Sequence, residues 1–186
     1  MKVTETNLPG VLLIEPDVFV DDRGYFLETF HAERYAEAGI PGPFVQDNLS
    51  FSQAGVLRGL HFQNPSAQAK LVFASEGEIF DVAVDVRAGS PTFGRWFGVS
   101  LSSDNRRQMY IPEGFAHGFC VVSPRARVVY KCTDVYDPAA EVTVLWSDPE
   151  IGIDWPVESP KLSPKDAAAL PLGAIDPARL PGYPGG

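Results

Sequence analysis

Positive charge is scarce in this chain of 186 residues. Fifteen Lys and Arg stand against 24 Asp and Glu, giving a formal net charge of −9. Nucleic-acid affinity comes largely from neutralising phosphates with Lys and Arg, and anionic membrane surfaces recruit basic segments. The balance therefore argues against both as partners. Long apolar runs are lacking too: none approaches the roughly 20 residues that a bilayer-spanning helix needs. Residues 1–9 hold no apolar stretch of the secretory-signal type, so the expectation is a cytoplasmic protein. Cysteine is limited to Cys120 and Cys132, without Cys-x-x-Cys spacing, and two buried, reduced thiols are expected. Histidine is limited to His31, His61 and His117, with no His-x-His or His-x-x-His. Catalytic zinc and non-haem iron sites usually take three protein ligands. A two-His site completed by Glu78 or Asp81 is the metal alternative, but the expectation is no metal. Gly-x-Ser-x-Gly, a phosphate loop and Gly-x-Gly-x-x-Gly are all missing, which removes the marks of a serine hydrolase or a nicotinamide enzyme. No cofactor is expected.

Glycine and proline, in contrast, are abundant, at 17 each. They punctuate short apolar runs, which favours turns over long helices. The runs are 11–14, 44–51, 57–63, 70–75, 79–86, 98–101, 108–111, 119–122, 127–132 and 142–146. In 79–86 the residues Phe80, Val82, Val84 and Val86 share one parity and Asp81, Ala83 and Asp85 the other, the period of a strand with one apolar face. Runs 70–75 and 79–86, joined through Gly77, read as a hairpin. Many short strands at this spacing indicate an all-β sandwich or barrel. Two short helices are expected, at 32–38 ending on Gly39 and at 163–170 with Ser163 at the N-cap and Pro164 at N1. No internal repeat or long linker divides the chain. The reading is one domain over 1–170 and a Pro/Gly-rich tail over 171–186, unable to bury a core of its own and either mobile or draped.

His31 falls at a helix start and reads as a surface residue. His61 lies in Leu57-Arg58-Gly59-Leu60-His61-Phe62-Gln63, where strict alternation puts Leu57, Gly59, His61 and Gln63 on one face. A His beside Gly and Gln has room for a ligand; its alternative is a hydrogen-bonded interior His. The stretch Pro112-Glu113-Gly114-Phe115-Ala116-His117 reads as a turn delivering His117 onto the next strand. Histidine, tyrosines and scattered cations suit cofactor-free proton transfer. Imidazole serves as base, a phenol as the opposing acid, and a cation stands where enolate charge develops.

Further motifs occur in a particular order. Arg23-Gly24-Tyr25-Phe26 is followed by Glu28, then Gln46-Asp47-Asn48, Leu57 to Gln63, Lys70-Leu71-Val72, Gly77 to Asp85, Ile111 to Phe119, and Leu145-Trp146-Ser147-Asp148-Pro149. From about residue 5 to about 170 the chain resembles the dTDP-4-dehydrorhamnose 3,5-epimerase family. The resemblance implies a metal-free, cupin-like jelly roll assembled as a homodimer. It also implies epimerisation of dTDP-4-dehydro-6-deoxyglucose at carbons 3 and 5, beside its 4-keto group. By the same resemblance His61 is the base, Tyr130 the acid, Lys70 the enolate-stabilising cation and Asp166 the carboxylate that orients His61. The other reading of Asp166 is the N3 member of a capping box. Tyr136 matches an aromatic that stacks on thymine. Arg23, Glu28, Gln46, Asp47 and Asn48 match substrate contacts, as do Arg58, His117, Glu141 and Lys165.

Arg58 and His61 are three apart, so a regular strand would separate them. Either Gly59 marks a bulge, or Arg58, like Arg23 and Glu28, serves the site of the other subunit. Phe62 and Val135 depart from the residues common in the family, which leaves open a single-carbon epimerase of a related dTDP-keto sugar. A non-catalytic sugar-nucleotide-binding cupin and a metal-dependent cupin are the remaining readings. His61, Lys70 and Tyr130 together argue against the first of these, and the missing third histidine against the second.

Overall fold

The computed structural model describes residues 1–183. Two antiparallel sheets face each other. The first runs β1 (Lys2–Glu5), β2 (Leu12–Glu15), β10 (Gln108–Ile111), β7 (Lys70–Glu76), β12 (Arg125–Cys132) and β5 (Gln46–Gln53). The second runs β13 (Glu141–Thr143), β6 (Leu57–Gln63), β11 (Phe115–Val121), β8 (Glu78–Asp85) and β9 (Trp96–Ser102). This is the all-β, cupin-like jelly roll anticipated from the strand-and-turn pattern. The inner faces enclose a core containing Val72, Leu101, Met109, Phe119 and Val128.

The 70–75 and 79–86 runs do form strands, but they do not make a hairpin. β7 pairs with β10 and β12, whereas β8 pairs with β11 and β9 in the opposite sheet. Gly77 carries the chain across. It has φ +74°, and a Cβ placed there would lie 2.1 Å from the Arg125 carbonyl oxygen. Only glycine fits that crossing.

The alternation of β8 is present as read, yet both of its faces are buried. Ile79 and Ala83 join the inter-sheet core. Val82, Val84 and Val86 look the other way and are covered by Ile151, Leu172 and Ile175. Asp81 and Asp85 are both fully buried. Asp85 receives the Arg87 guanidinium at 2.9 and 2.7 Å and the hydroxyls of Ser90 and Thr92 at 2.5 and 2.6 Å. Buried charge is tolerated when paired and hydrogen-bonded in this way.

The outer face of the second sheet thus depends on the C-terminal segment. Leu172 and Ile175 are buried in it, each burial stabilising by about 1.5–3 kcal/mol. Asp148 fastens the segment, its Oδ2 accepting from the Leu172 amide at 2.7 Å. The Ala88 amide then donates to the Pro181 carbonyl at 2.8 Å. Residues 171–183 are draped over this face, with Leu172 and Ile175 inserted and Leu180 packed against them. The end of the expected tail, 184–186, lies outside the described residues.

Helix α1 (Ala32–Glu37) covers the first sheet, packing Tyr35 against Ile14, Leu71 and Tyr110. His31 is its N-cap, the imidazole accepting from the Arg34 amide. Helix α2 (Pro164–Ala167) is shorter than expected, with Ser163 capping it as read. One element had no forecast. β3 (Val18–Asp21) and β4 (Gly24–Leu27) form a separate two-stranded ribbon. Its Phe19, Val20 and Phe26 are 63%, 76% and 69% exposed.

Candidate active site

A cavity of about 930 Å³ opens between the sheets. Its wall comes from β5, β6, β7, β11, β12 and β13 and from residues 161–166. Strand β6 supplies the first group. Pairing aligns His117 with His61 and Phe119 with Arg58, so three steps on β6 oppose two on β11, the signature of a bulge. Gly59 sits there at φ +116°, and a Cβ would come within 2.6 Å of Gly118 Cα. The extra residue returns Arg58 to the His61 face, and both line the same cavity. Of the two alternatives for Arg58, the bulge is the one present, and its Nε donates to Ser52 Oγ within its own chain at 3.0 Å.

His61 Nε2 lies 2.6 Å from Asp166 Oδ1. An ionised carboxylate only accepts, so Nε2 carries the hydrogen and Nδ1 keeps a lone pair. Asp166 is almost fully buried and also receives the Ser163 hydroxyl on Oδ2 at 2.8 Å, while its amide donates to Ser163 Oγ. The cap and the imidazole contact hold together because they use different oxygens. Burial alone would push the Asp166 carboxyl up. The hydrogen bond and charge of His61, the Ser163 hydroxyl and the nearby Lys165 outweigh burial and hold it below its ordinary value.

Lys70 projects from β7 into the cavity wall, nearly buried, with Nζ 3.5 Å from the His61 carbonyl oxygen. Burial pulls its ammonium down from the usual lysine value; Cys132, Glu141 and Asp81 oppose that pull, and Lys165 adds to it. Tyr130 enters from β12, and burial raises its phenol above the usual value, so the hydroxyl keeps its proton at neutral pH. His117 lies beneath, with Nε2 at 2.7 Å from Asp81 Oδ1.

At the rim, Tyr136 donates its hydroxyl to Glu141 Oε2 at 3.0 Å, and Lys165 Nζ meets the same oxygen at 2.7 Å. Burial would raise Glu141, but Lys165, His61 and Tyr136 hold it low. Gln46 accepts from the Tyr136 amide at 2.8 Å, and Gln63 accepts from the Asp137 amide at 2.9 Å, so two strand amides fix the aromatic's loop. Asn48 follows Gln46 on the inward parity of β5.

Three expected residues are elsewhere. Asp47 falls on the outward parity of β5 and pairs with Lys131 at 2.9 Å. Strand alternation separates it from its neighbours Gln46 and Asn48. Arg23, 90% exposed, pairs with Asp21, and Glu28 pairs with Arg34 at 3.1 Å. Neither lines this chain's cavity. Lys161 was missed: it lines the cavity with no ion-pair partner among the described residues, in a loop without any motif. Asp81 was seen only as a metal alternative, although its polar parity on β8 marked it. Among the described residues no three His, Cys, Asp or Glu side chains converge as a metal site requires.

The dTDP-4-dehydrorhamnose 3,5-epimerase family matches residues 5–173. A dTDP-4-dehydrorhamnose 3,5-epimerase of Shigella flexneri is 56% identical over 168 residues, covering 89% of this chain and 93% of its own length. A dTDP-4-dehydrorhamnose 3-epimerase of Streptomyces niveus is 46% identical over 186 residues, covering 98% of this chain and 90% of itself. The crystal structure of a dTDP-6-deoxy-D-glucose-3,5-epimerase of Legionella pneumophila in complex with dTDP-4-keto-L-rhamnose superposes with a TM-score of 0.96 at 54% identity, covering 98% of each chain. On the family match, the identities and the shared fold, this chain belongs to the dTDP-4-dehydrorhamnose 3,5-epimerase family.

Proposed function

We propose that the protein converts dTDP-4-dehydro-6-deoxy-D-glucose to dTDP-4-dehydro-L-rhamnose, inverting carbons 3 and 5 without a cofactor, in dTDP-L-rhamnose formation. The observation that carries this is the 2.6 Å His61–Asp166 pair on the cavity that also holds Lys70 and Tyr130. The 4-keto group acidifies the hydrogens on its neighbouring carbons. His61 Nδ1 takes one proton and becomes imidazolium facing Asp166, and the electron pair moves onto the carbonyl oxygen. Lys70 offsets that charge; one well-placed donor to such an oxyanion is worth about 3–4 kcal/mol. Tyr130 returns a proton to the opposite face of the carbon. Proton return from imidazolium to phenolate then resets the site.

Arg58, Lys161 and Lys165 supply cations for the diphosphate, Arg58 through its planar fork. Tyr136 stacks on the thymine, and Gln46, Asn48, His117 and Glu141 position the rest. The catalytic unit is one domain into which 171–183 is folded, working in the cytoplasm. A homodimer completes it, each exposed β3–β4 ribbon bringing Arg23 and Glu28 to the other subunit's cavity, with Asp47 near the same seam. The ribbon's exposed Phe19, Val20 and Phe26 support this, since a lone two-stranded ribbon is marginal in water.

A second reading, inversion of one carbon only, rests on the 46% identity to the Streptomyces niveus 3-epimerase, lower than the 56% to the Shigella flexneri 3,5-epimerase. Incubating the EDTA-treated protein with the 4-keto substrate and a stereospecific rhamno-forming reductase tests the proposal. The expected result is dTDP-L-rhamnose; a 6-deoxyhexose inverted at one carbon would select the second reading.

A further inference from the structure

Beneath the cavity lies a second His–Asp pair, and one oxygen of its carboxylate is unpartnered. Asp81 is fully buried, and its Oδ1 meets His117 Nε2 at 2.7 Å. Its Oδ2 is buried as well and has no hydrogen-bond partner. A buried carboxylate oxygen left unpaired is costly, and costs of that kind persist where a neighbouring charge or a function offsets them. Lys70, nearly buried in the cavity wall, reaches across from the opposite sheet to put Nζ 3.5 Å from the carbonyl oxygen of His61, the register partner of His117. The His117 ring in turn sits 6.4 Å from the Tyr130 ring, centroid to centroid. One carboxylate thus underlies both the cation and the wall next to the acid.

We infer that Asp81 is a positioning residue for the epimerisation: it fixes His117 with hydrogen on Nε2 and Nδ1 free toward the cavity, and its unpartnered buried oxygen places a counter-charge behind the wall that Lys70 reaches. An acceptor-only carboxylate dictates that tautomer. His117 then offers the substrate an acceptor at Nδ1, suited to a sugar hydroxyl rather than to a phosphate oxygen. Burial disfavours the Lys70 charge, while Cys132 on β12, Glu141 on β13 and Asp81 on β8 favour it and Lys165 on α2 opposes it; His61 and Tyr130 share the same wall, with the His61 carbonyl at 3.5 Å. Of the anionic groups, Glu141 is already tied to Lys165 and Tyr136. Of the two carboxylates, Asp81 is the one with a buried oxygen that has no hydrogen-bond partner.

The inference rests on the proposed epimerisation, and two measurements separate the fates of the two. Asp81→Asn keeps an acceptor for His117 and removes the charge. With the 4-keto substrate, kcat is expected to fall roughly 10- to 100-fold, the scale seen when a carboxylate that orients a metal-bound histidine is removed. The alkaline limb of its pH profile is expected to move to lower pH, because Lys70 deprotonates more readily without its counter-charge, and Asp81→Glu is expected to restore part of both. An Asp81→Asn protein with unchanged kcat and an unchanged alkaline limb would overturn the inference. Nitrogen-15 NMR of the histidines in the unsubstituted protein requires no variant to fold. Hydrogen on His117 Nε2 is expected, and hydrogen on Nδ1 alone would overturn the inference. Failure of the unsubstituted protein to turn over substrate would instead count against the proposed function, with the tautomer measurement still deciding the role of Asp81.

Discussion

At the residue scale the cavity assigns different work to similar groups by their surroundings. His61 and His117 are register partners on adjacent strands, and each gives Nε2 to a buried aspartate. Asp166 has a second donor in Ser163, whereas Asp81 has none on Oδ2. The proposed mechanism gives the base role to His61, whose carboxylate accepts on both oxygens and is held low. Tyr130, protonated because burial raises its phenol, suits delivery of a proton. His61→Ala and Tyr130→Phe are each expected to lower turnover by roughly 10²–10⁴-fold, the usual worth of a general base or acid. Steady-state kinetics on folded variants check this, and wild-type rates would remove that residue from the mechanism.

At the element scale, the strands were legible because period-two alternation and Gly/Pro punctuation are local properties. Which strands pair is not local. Nothing in Ser75 to Glu78 distinguishes a hairpin turn from a crossing between sheets; the Arg125 carbonyl packed against Gly77 does. The same limit explains Asp47, which shares a motif with Gln46 and Asn48 but not their face, and Arg58, whose facing turns on a bulge set by Gly118 across the strand gap. Lys161 was illegible because only its main-chain pairing with Gly55 and Leu57 brings it to the cavity. The proposed catalytic set comes from family motifs, and the His61–Asp166 distance adds a contact that spacing could not give. Beyond the site, Asp85 anchors the loop after β8. Burial would raise its carboxyl, yet Arg87, Ser90 and Thr92 hold it below its ordinary value. A depressed carboxyl stabilises the fold above its unfolded pKa, about 3.9, and that stability is lost as pH falls through the lower folded value. Asp85→Ala is expected to cost about 3 kcal/mol at neutral pH, since it strands a largely buried Arg87. The deficit should narrow below pH 4. Urea unfolding at both pH values checks this.

At the scale of the whole molecule, an acidic shell of net charge −9 surrounds a cavity lined by Arg58, Lys70, Lys161 and Lys165. That concentration suits a diphosphate ligand in a protein otherwise unsuited to polyanions. Arg23 sits by the exposed ribbon and does not line this cavity, and the proposed sharing of sites between subunits turns that position into a test. Arg23→Ala and His61→Ala homodimers should each be impaired in both sites. Co-expressed and mixed, they should form heterodimers with one intact site and regain activity well above either parent; no recovery would contradict shared sites. The central claim, double inversion through proton exchange at this cavity, is tested most directly by turnover of dTDP-4-dehydro-6-deoxy-D-glucose in deuterated water, read by NMR of the product. The expected result is deuterium at both carbon 3 and carbon 5, abolished in His61→Ala. Deuterium at neither carbon, with the substrate still bound, would contradict it.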